Sequence, residues 1–514
     1  MAHGYIPVDR EQQFLLPPDM RDWLPEGHLV HFVLAVVARI DTAVLHAAHP
    51  NDGVGRRAYD PDMLLALLVY AYCTGVRSSR AIERLCQVDV AYRVVCANRI
   101  PDHCTVARFR QDHEGIAQAM FSDVLMLCAA SGLARVGVVA VDGTKMGADA
   151  SMRANRTRAR IEAEVARMFA AASAADAAED RLFGDARGDE LPVELVDPRS
   201  RAARLDAALR ELEAAEAARR DEAEAARHVR AAAEAAAEGR GEGVRGRVPR
   251  GREVQRAEAA LDRARERAAA RYKRRQDKIR AGKTRGKVPV PPERSVSVGR
   301  AEARLVAARE AEETAGPVEP LWVNVTDPHS GLMKMPGGWV QGYNAQVAVN
   351  DVGVVLAATV SRDHNDLGQC QPMMAATRAN LDAAGVDAPI GVMLFDAGYC
   401  SVDNLRAPGP DRLIATAKSH ALRRAATEQG FTEGGPPPDA DPIRAMEHRL
   451  RTEAGAQLFA KRQHTVEPVF GHIKAGRGFR GFVRRGLEAV NAEWQLMATT
   501  QNILKLHRAR IVLS

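Results

Sequence analysis

Apolar residues in the first quarter of the chain recur at the spacing of amphipathic helices. The stretch YDPDMLLALLVYAYCTG (59–75) has a proline near its start and a glycine at its end, where helices favour those residues. Thr105 is predicted to be the N-cap of a further long helix that ends before Gly132. Residues 1–135 are therefore predicted to form an all-helical domain, either a DNA-binding module of the helix-turn-helix kind or a plain helical bundle.

The pattern then changes to short apolar runs that are typical of strands. VGVVAVDGTK (136–145) and IGVMLFDAGY (390–399) are each apolar up to an aspartate that is soon followed by a glycine. Between them, residues 340–350 alternate apolar and polar side chains, and residues 354–361 return after a turn. With a helix predicted near 371–385, this order indicates an α/β domain with a mixed sheet.

A block that is rich in Ala, Glu and Arg interrupts this domain at residues 151–315. Its helix propensity is high and its charges pair at helical spacing, but it lacks sustained heptads of large apolar residues. We interpret the block as an insertion of long, solvated helical arms with a basic loop at 271–287. Residues 136–150 and 316–514, on either side of it, then belong to one α/β domain.

Composition places the chain among ordinary globular proteins. Its 514 residues are 46% apolar and 27% charged, and its seven cysteines are scattered without a CxxC motif or a Cys/His cluster. A disulfide framework and a zinc site are therefore not expected. The first residues carry no signal-peptide pattern and the longest apolar run is too short to span a bilayer, so we expect a cytoplasmic protein.

Charge is distributed unevenly along the chain. The formal net charge is +6, yet residues 458–514 hold ten Lys and Arg against three Glu, and residues 271–287 hold nine against one Asp. The remainder is mildly acidic. Two basic patches on an acidic body favour a polyanionic partner, most simply nucleic acid, although a solvated charged face is an equal alternative for one isolated run.

Three carboxylates stand out as candidates for chemistry. Asp142 and Asp396 follow apolar strands, and Glu467 lies on a late helix beside an apolar stripe. If the three converge, their repulsion calls for a cation, and hard oxygen ligands suit Mg²⁺ or Mn²⁺. Strand-end aspartates are also common turn caps, which stays the alternative for either one alone. Other aspartates compete for the same role, namely Asp327, Asp363 and Asp366.

Several long motifs stand in a characteristic order: YDPDMLLALLVYAYCTGVRSSRAIER, PDHCTVARFR, VDGTK, FDAGY, RQHTVEPVFGHIKAGRGFRGFVRRGL and EWQLMATTQNILKL. In these motifs the chain resembles a DDE transposase of bacterial insertion sequences. The resemblance covers most of the chain outside 151–315. It implies an RNase H-like catalytic domain over 136–150 and 316–514, preceded by the helical DNA-binding domain.

The resemblance also implies roles for individual residues. Asp142, Asp396 and Glu467 would form the catalytic triad and hold two Mg²⁺ or Mn²⁺ ions. Arg462 and Lys474 would contact phosphates near the cleaved end, as in a Tyr-Arg-Glu-Lys signature. In this chain Phe459 replaces the tyrosine of that signature, so no tyrosine hydroxyl is available for a phosphate contact. A second departure is Asp149, which stands where an asparagine is expected.

Further arginines are predicted to neutralise DNA phosphates, because each lies in a basic stretch or near a helix start. These candidates are Arg477, Arg480, Arg484 and Arg485 after the Glu467 helix, and Arg80 and Arg108 in the helical domain.

The expected function is that of a transposase in the bacterial cytoplasm, associated with the nucleoid. It would bind the terminal inverted repeats of its own element in double-stranded DNA, as a homodimer. It would cut there by metal-dependent hydrolysis and join the freed ends to target DNA by transesterification. Two alternatives stay open: an RNase H-like nuclease without strand transfer, and a catalytically inert DNA-binding protein descended from a transposase.

Overall fold

The computed structural model describes residues 20–47, 58–168, 170, 201–238, 253–281, 290–313, 321–335, 337–417 and 430–509. Contacts within the chain divide it into two compact units. The first unit joins Met1–Asn155 to Asn324–Ser514, and the second is Arg156–Val323. The second unit is thus inserted between two segments of the first. The three-domain division and its boundaries stay a prediction.

Every element before the first strand of the sheet is helical in the described part of the first unit. The longer helices are α1 (Leu29–Val37), α2 (Ala43–Ala47), α3 (Pro61–Cys73), α4 (Ser79–Val88), α5 (Val90–Val95), α6 (His103–Asp112) and α7 (Ile116–Ala130). The prediction of one long helix from Thr105 was wrong. Asp102 is the N-cap, because its carboxylate accepts the Thr105 N–H at 2.9 Å, and the helix breaks after Asp112 before resuming at Ile116.

A six-stranded mixed sheet follows the helices. Its strands are β1 (Val138–Gly147), β4 (Gly331–Met335), β5 (Gly338–Asn350), β6 (Val355–Ser361), β7 (Val392–Phe395) and β8 (Arg412–Ile414), and a separate small sheet pairs β2 (Asn155–Thr157) with β3 (Trp322–Asn324). The order is β4-β5-β1-β7-β8, with β6 also paired to β5. The pairs β4–β5, β5–β6 and β5–β1 are antiparallel, whereas β1–β7 and β7–β8 are parallel.

Strand β5 is buried on both faces, which the alternation of its sequence did not predict. Not only Tyr343, Ala345 and Val347 but also the intervening polar residues Asn344 and Gln346 are fully buried. The cause is the position of β5 between β1 on one side and β4 and β6 on the other, with helices covering the sheet. Polar side chains on this strand must therefore find partners inside the protein.

Helices and the remaining strands alternate after β6. These helices are α11 (Cys370–Ala383), α12 (Val402–Arg406), α13 (Pro442–Arg451), α14 (Glu453–Gly471) and α15 (Leu487–Arg508), and a π-helical turn (His472–Gly476) follows α14. Helix α14 contains Pro468, as the sequence predicted, and remains helical for three more residues before the π turn. The turn widens the backbone at the point where a basic stretch begins.

Helix α15 joins the sheet to the helical segment. Trp494 is fully buried and its Nε1–H donates to the Gln346 carbonyl at 2.9 Å. The Asn502 amide donates to the Val355 carbonyl and accepts its N–H, both at 2.8 Å, so it replaces a missing strand partner at the edge of β6. One continuous apolar core therefore extends from the early helices through the sheet to α15.

The longer helices in the described part of the second unit are α8 (Arg201–Glu238), α9 (Glu253–Arg280) and α10 (Val296–Glu313). Helices α9 and α10 share a small apolar cluster that includes Leu261 and Val298. The predicted basic loop at 271–287 was partly wrong, because residues 271–280 belong to α9. Residues 282–287 lie outside the described part of the chain. Among the described residues, no helix has the length and apolar character needed to cross a membrane.

The close approach of β1 to β7 gives a test of the fold. A Cβ atom built on Gly391 would lie 2.4 Å from the Gly137 carbonyl oxygen, whereas one on Gly137 meets nothing within 4 Å. We predict that Gly391→Ala lowers the free energy of unfolding by about 1–3 kcal/mol through overpacking. The matched control Gly137→Ala should change it by no more than about 0.5 kcal/mol. Urea unfolding of both variants measures this, and equal effects would contradict the strand packing.

Candidate active site

The parallel pairing of β1 with β7 brings Asp142 next to Asp396. Ala140 lies opposite Leu394 in this register, and each aspartate comes two residues later along the chain, Asp142 within β1 and Asp396 directly after β7. Since side chains alternate along strands, both carboxylates leave the same face at the same level. The sequence suggested that the strand ends at Asp142, and this was wrong. Strand β1 continues to Gly147 because β5 extends alongside it.

Local backbone donors bind both carboxylates, as the turn-cap alternative predicted. Asp142 Oδ1 accepts the Gly143 N–H at 2.9 Å, and Asp396 Oδ1 accepts the Gly398 N–H at 2.8 Å. Asp396 thereby caps a short 3-10 turn, Ala397–Tyr399. Capping does not exclude a functional role here, because both aspartates also pair with an arginine on helix α14.

That arginine is Arg462, on helix α14. Its NH2 atom lies 2.9 Å from Asp142 Oδ1 and 3.8 Å from Asp396 Oδ2, and only 9% of its side chain is exposed. The sequence predicted that Arg462 contacts a DNA phosphate. In this structure its guanidinium instead offsets the repulsion between the two aspartates.

Glu467 lies on the same helix but faces solvent, where its carboxylate accepts the Gln463 amide at 3.2 Å. Lys474, in the π turn beyond it, donates to Thr144 Oγ1 at 2.6 Å and to the Lys145 carbonyl at 2.8 Å. Arg462 and Lys474 therefore attach to β1 on either side of Glu467 along the chain. The structure thus brings Asp142 and Asp396 together, whereas Glu467 lies on α14 with its side chain exposed, and its membership of a triad stays a prediction.

Burial and mutual repulsion perturb ionisation at this site. Burial is the main cause that raises the pKa of Asp142 to about 7; the Arg462 guanidinium lowers this pKa and the Asp396 carboxylate contributes to the rise. Burial also lowers the pKa values of Lys145 and Lys474. Strongly shifted pKa values are common at the functional sites of proteins, so Asp142 is a candidate functional residue.

Asp366, one of the competing candidates, joins the same cluster. Its Oδ1 accepts the side-chain amides of Asn344 and Gln346, each at 2.7 Å, and lies 3.7 Å from Lys145 Nζ. Gln346 in turn accepts the hydroxyl of Tyr399. Sequence reasoning did not single out these partners, although two amide side chains in an otherwise apolar central strand were a usable signal.

The other two competing aspartates lie in structural positions. Asp327 is fully buried, accepts the Tyr343 hydroxyl at 2.8 Å and accepts the Gly486 N–H at 3.1 Å. Burial raises its pKa. Asp363 is exposed and accepts the Gln369 amide at 2.5 Å. Neither contact connects them to the pair of strand aspartates.

Arg477 must be removed from the predicted phosphate contacts. It is 6% exposed, and its guanidinium donates to Thr500 Oγ1 at 2.7 Å and to the Met497 carbonyl at 3.0 Å. Burial lowers its pKa to about 10. Its hydrogen bonds fix the start of the basic stretch on helix α15 and leave no face for DNA.

The other predicted phosphate contacts divide into paired and exposed arginines. Arg484 pairs with Glu114, and Arg485 pairs with Asp149 at 2.8 Å while also donating to its carbonyl. Exposed positions belong to Arg80, Arg108 and Arg480.

The basic stretch after α14 is held in a fixed path. The Phe482 N–H donates to the Gly147 carbonyl at 2.7 Å, at the end of the strand that carries Asp142. Glu493, 3% exposed, accepts the backbone N–H groups of Val483 and Arg484 at 3.0 and 3.1 Å. Arg77, from the helical segment, donates to the Gly481 carbonyl and pairs with Glu493 at 3.5 Å. The early helices therefore contact this stretch directly.

Phe459 stands where the signature of the resembled family has a tyrosine, and it has a packing role in this structure. Its ring packs against the apolar cluster that contains Leu394, Leu413 and Leu450. This position therefore contributes packing between α14 and the sheet.

One compact group of metal-binding residue types lies elsewhere among the described residues: His46, Asp60 and Asp62 come within 4.8 Å of one another. Asp60 caps α3, and His46 bonds Asp62 at 3.2 Å, so local hydrogen bonds account for it. Among the described residues, the carboxylates around Asp142 do not form such a compact group of three.

Comparison with known families gives two matches. Residues 18–112 match a family described as a transposase domain (DUF772), and residues 439–507 match a family described as a transposase DDE domain. No curated protein and no solved structure matched the chain. The second match includes Glu467, and the first covers helices α1 to α6. The two matches confirm the resemblance that the sequence motifs indicated.

The raised pKa of Asp142 predicts an unusual pH dependence of stability. Its carboxyl is neutral in both states at low pH, and ionisation costs folding free energy as the pH rises from 3.8 to about 7. In EDTA at about pH 8, Asp142→Asn should therefore stabilise the protein by about 1 kcal/mol or more, and this gain should vanish near pH 4. Chemical unfolding at both pH values measures it.

Asp411→Asn is the control with the opposite sign. The hydrogen bond from Arg449 holds the pKa of Asp411 below its usual range, so this variant should lose stability at high pH. A loss of stability for Asp142→Asn at high pH would contradict the assignment.

Proposed function

We propose that this chain, which belongs with the DDE transposases of insertion sequences, binds the terminal inverted repeats of its element, cleaves the DNA ends and joins them to target DNA. The observation that carries the proposal is the placement of Asp142 beside Asp396 on adjacent parallel strands, with α14 laid across them. The order of three antiparallel strands, β6-β5-β1, continued by parallel β7 and β8, supports an RNase H-like catalytic domain.

The donor set fits a hard divalent cation. The site gathers carboxylate oxygens, contains no sulfur ligand among its described contacts, and is neutralised by a guanidinium in the free protein. Asp142, Asp396 and Glu467 would hold two Mg²⁺ or Mn²⁺ ions. When bound, such ions stabilise charge on the scissile phosphate and lower the pKa of an attacking water or 3′-hydroxyl.

The residues of the chain itself perform the other tasks. Asp142, whose pKa of about 7 leaves it partly protonated near pH 7 in the free protein, would release that proton on becoming a ligand. Arg462 would then lose part of its pairing with the aspartates and could turn toward a phosphate, as its predicted role requires. Lys474, which donates to Thr144, would place positive charge next to the strand that carries Asp142.

Exposed arginines would position the DNA. Arg480 projects from the fixed basic stretch, and Arg80 and Arg108 lie on helices of the segment that matches the first family. We include a homodimer in the proposal, because two element ends must be held together for joining.

Cleavage of DNA with native flanks tests the proposal. Purified protein is incubated with a plasmid that carries the gene and its flanks, with and without Mg²⁺ or Mn²⁺, and 3′ ends are mapped. We expect metal-dependent cuts at fixed positions, reduced at least about a hundredfold in Asp396→Ala and Glu467→Ala. Glu453→Ala, an exposed glutamate at the start of the same helix, is the matched control and should cut normally.

Other outcomes would change the conclusion. Metal-dependent cuts at random positions would favour a nuclease without strand transfer. Sequence-specific binding without cutting, also in the presence of cell extract, would favour an inert DNA-binding protein.

The two neighbouring arginines Arg477 and Arg480 should behave differently. Arg480→Ala removes an exposed cation, so it should lower the slope of log affinity against log salt by about one unit without changing stability. Arg477→Met should leave that slope unchanged but lower the free energy of unfolding by about 1–3 kcal/mol, because buried acceptors lose their donor. Fluorescence anisotropy over a salt series and urea unfolding distinguish them. A salt slope changed equally by both would contradict the assignment.

A further inference from the structure

The carboxylate of Asp366 lies between the two glycines that follow the paired aspartates. A Cβ atom built on Gly143 would come 2.3 Å from Asp366 Oδ1. One built on Gly398 would come 3.3 Å from Asp366 Oδ2 and 3.0 Å from Asp396 Oδ1. The glycines in the motifs VDG and DAG therefore leave the space that a third aspartate fills.

The two oxygens of Asp366 have different surroundings. Oδ1 accepts both amide hydrogen bonds, from Asn344 and Gln346, which are fully buried on β5. The described residues place no hydrogen-bond donor on Oδ2, which faces the side of Gly398 and Asp396. Neutral donors thus fix the carboxylate in place without neutralising it, and leave one oxygen directed at the strand aspartates.

A simple ion pair with Lys145 does not account for this arrangement. The Lys145 Nζ atom lies 3.7 Å from Oδ1, beyond hydrogen-bond distance, and has no hydrogen-bond partner of its own. The ammonium thus forms a long ion pair with Oδ1 and does not donate a hydrogen bond to Oδ2.

The surroundings already attract positive charge. The guanidinium of Arg462 enters the cluster with its side chain nine-tenths buried, and its Nε has no hydrogen-bond partner. Burial of a guanidinium with an unsatisfied donor is unfavourable, and here the attraction of the carboxylates offsets it. The carboxylates therefore favour a cation at this position.

We propose that Asp366 is a fourth carboxylate of the cation site, and that its Oδ2 is a ligand together with Asp142, Asp396 and Glu467. This inference rests on the proposed function, since it concerns the same cations. It adds a residue from the loop between β6 and α11 to a site otherwise built from β1, β7 and α14.

Binding of Mn²⁺ to the full-length protein without DNA tests the inference. Isothermal titration calorimetry compares the wild type with Asp366→Asn and with Asp363→Asn, a matched exposed aspartate three residues earlier. We expect Asp366→Asn to weaken Mn²⁺ binding at least about tenfold and Asp363→Asn to change it less than about twofold. Circular dichroism and the unfolding midpoint of the metal-free variants serve as controls for folding.

A second variant separates ligation from support. In Asp366→Cys a thiolate replaces the proposed ligand, and thiolates favour softer metals. Added Co²⁺ should produce a thiolate-to-cobalt charge-transfer absorption that the wild type and Asp363→Cys lack. This signal requires direct contact between the side chain and the ion, so a purely structural role would not give it.

The outcomes distinguish this inference from the function on which it rests. Wild-type Mn²⁺ affinity in Asp366→Asn, with binding lost in Asp142→Asn, would overturn the role of Asp366 and leave the proposed function intact. A wild-type protein that binds no Mn²⁺ would overturn both. Lower stability of Asp366→Asn with unchanged affinity would assign Asp366 to folding alone and overturn the inference.

Discussion

Repulsion between two carboxylates on neighbouring parallel strands is the constraint around which the first unit is arranged. Asp142 and Asp396 leave the same sheet face at the same level, and burial weakens the hydration of Asp142. The two positions are not occupied by apolar residues, which would avoid the repulsion. One arginine from a crossing helix offsets the repulsion instead, and the buried carboxylate still costs some stability.

The elements around the site contribute rigidity more than charge. The stretch after α14 is rich in arginine, yet Arg477 and Arg484 are engaged within the protein, and buried Glu493 holds the backbone between them. Helix α15 fixes the same stretch against the sheet, and Arg77 connects it to the early helices. The early helices therefore contact the same stretch that donates to the end of the strand carrying Asp142.

Much of this arrangement was readable from the sequence. The apolar runs predicted strands β1 and β7, and the aspartates in VDGTK and FDAGY predicted the pair of carboxylates that these strands bring together. The limits of β1 were missed because glycine, threonine and lysine pair with β5 only through tertiary contacts. The burial of Asn344, Gln346 and Arg477 was missed for the same reason, since a local pattern does not show which strand becomes central. The partners of Asp366 depend on a loop folding back, which spacing along the chain does not encode.

The insertion leaves and re-enters the first unit at adjacent points. Asn324 donates its amide to the side chain of Asn155 at 3.0 Å, and the Val325 N–H donates to the Ala154 carbonyl at 3.1 Å. Because these ends are already joined, lengthening the intervening chain adds only a slowly growing closure entropy. The sheet that carries Asp142 and Asp396 therefore does not need the segment between residues 156 and 323 to hold its own ends together. The length of that segment can vary at a small entropic cost to the first unit.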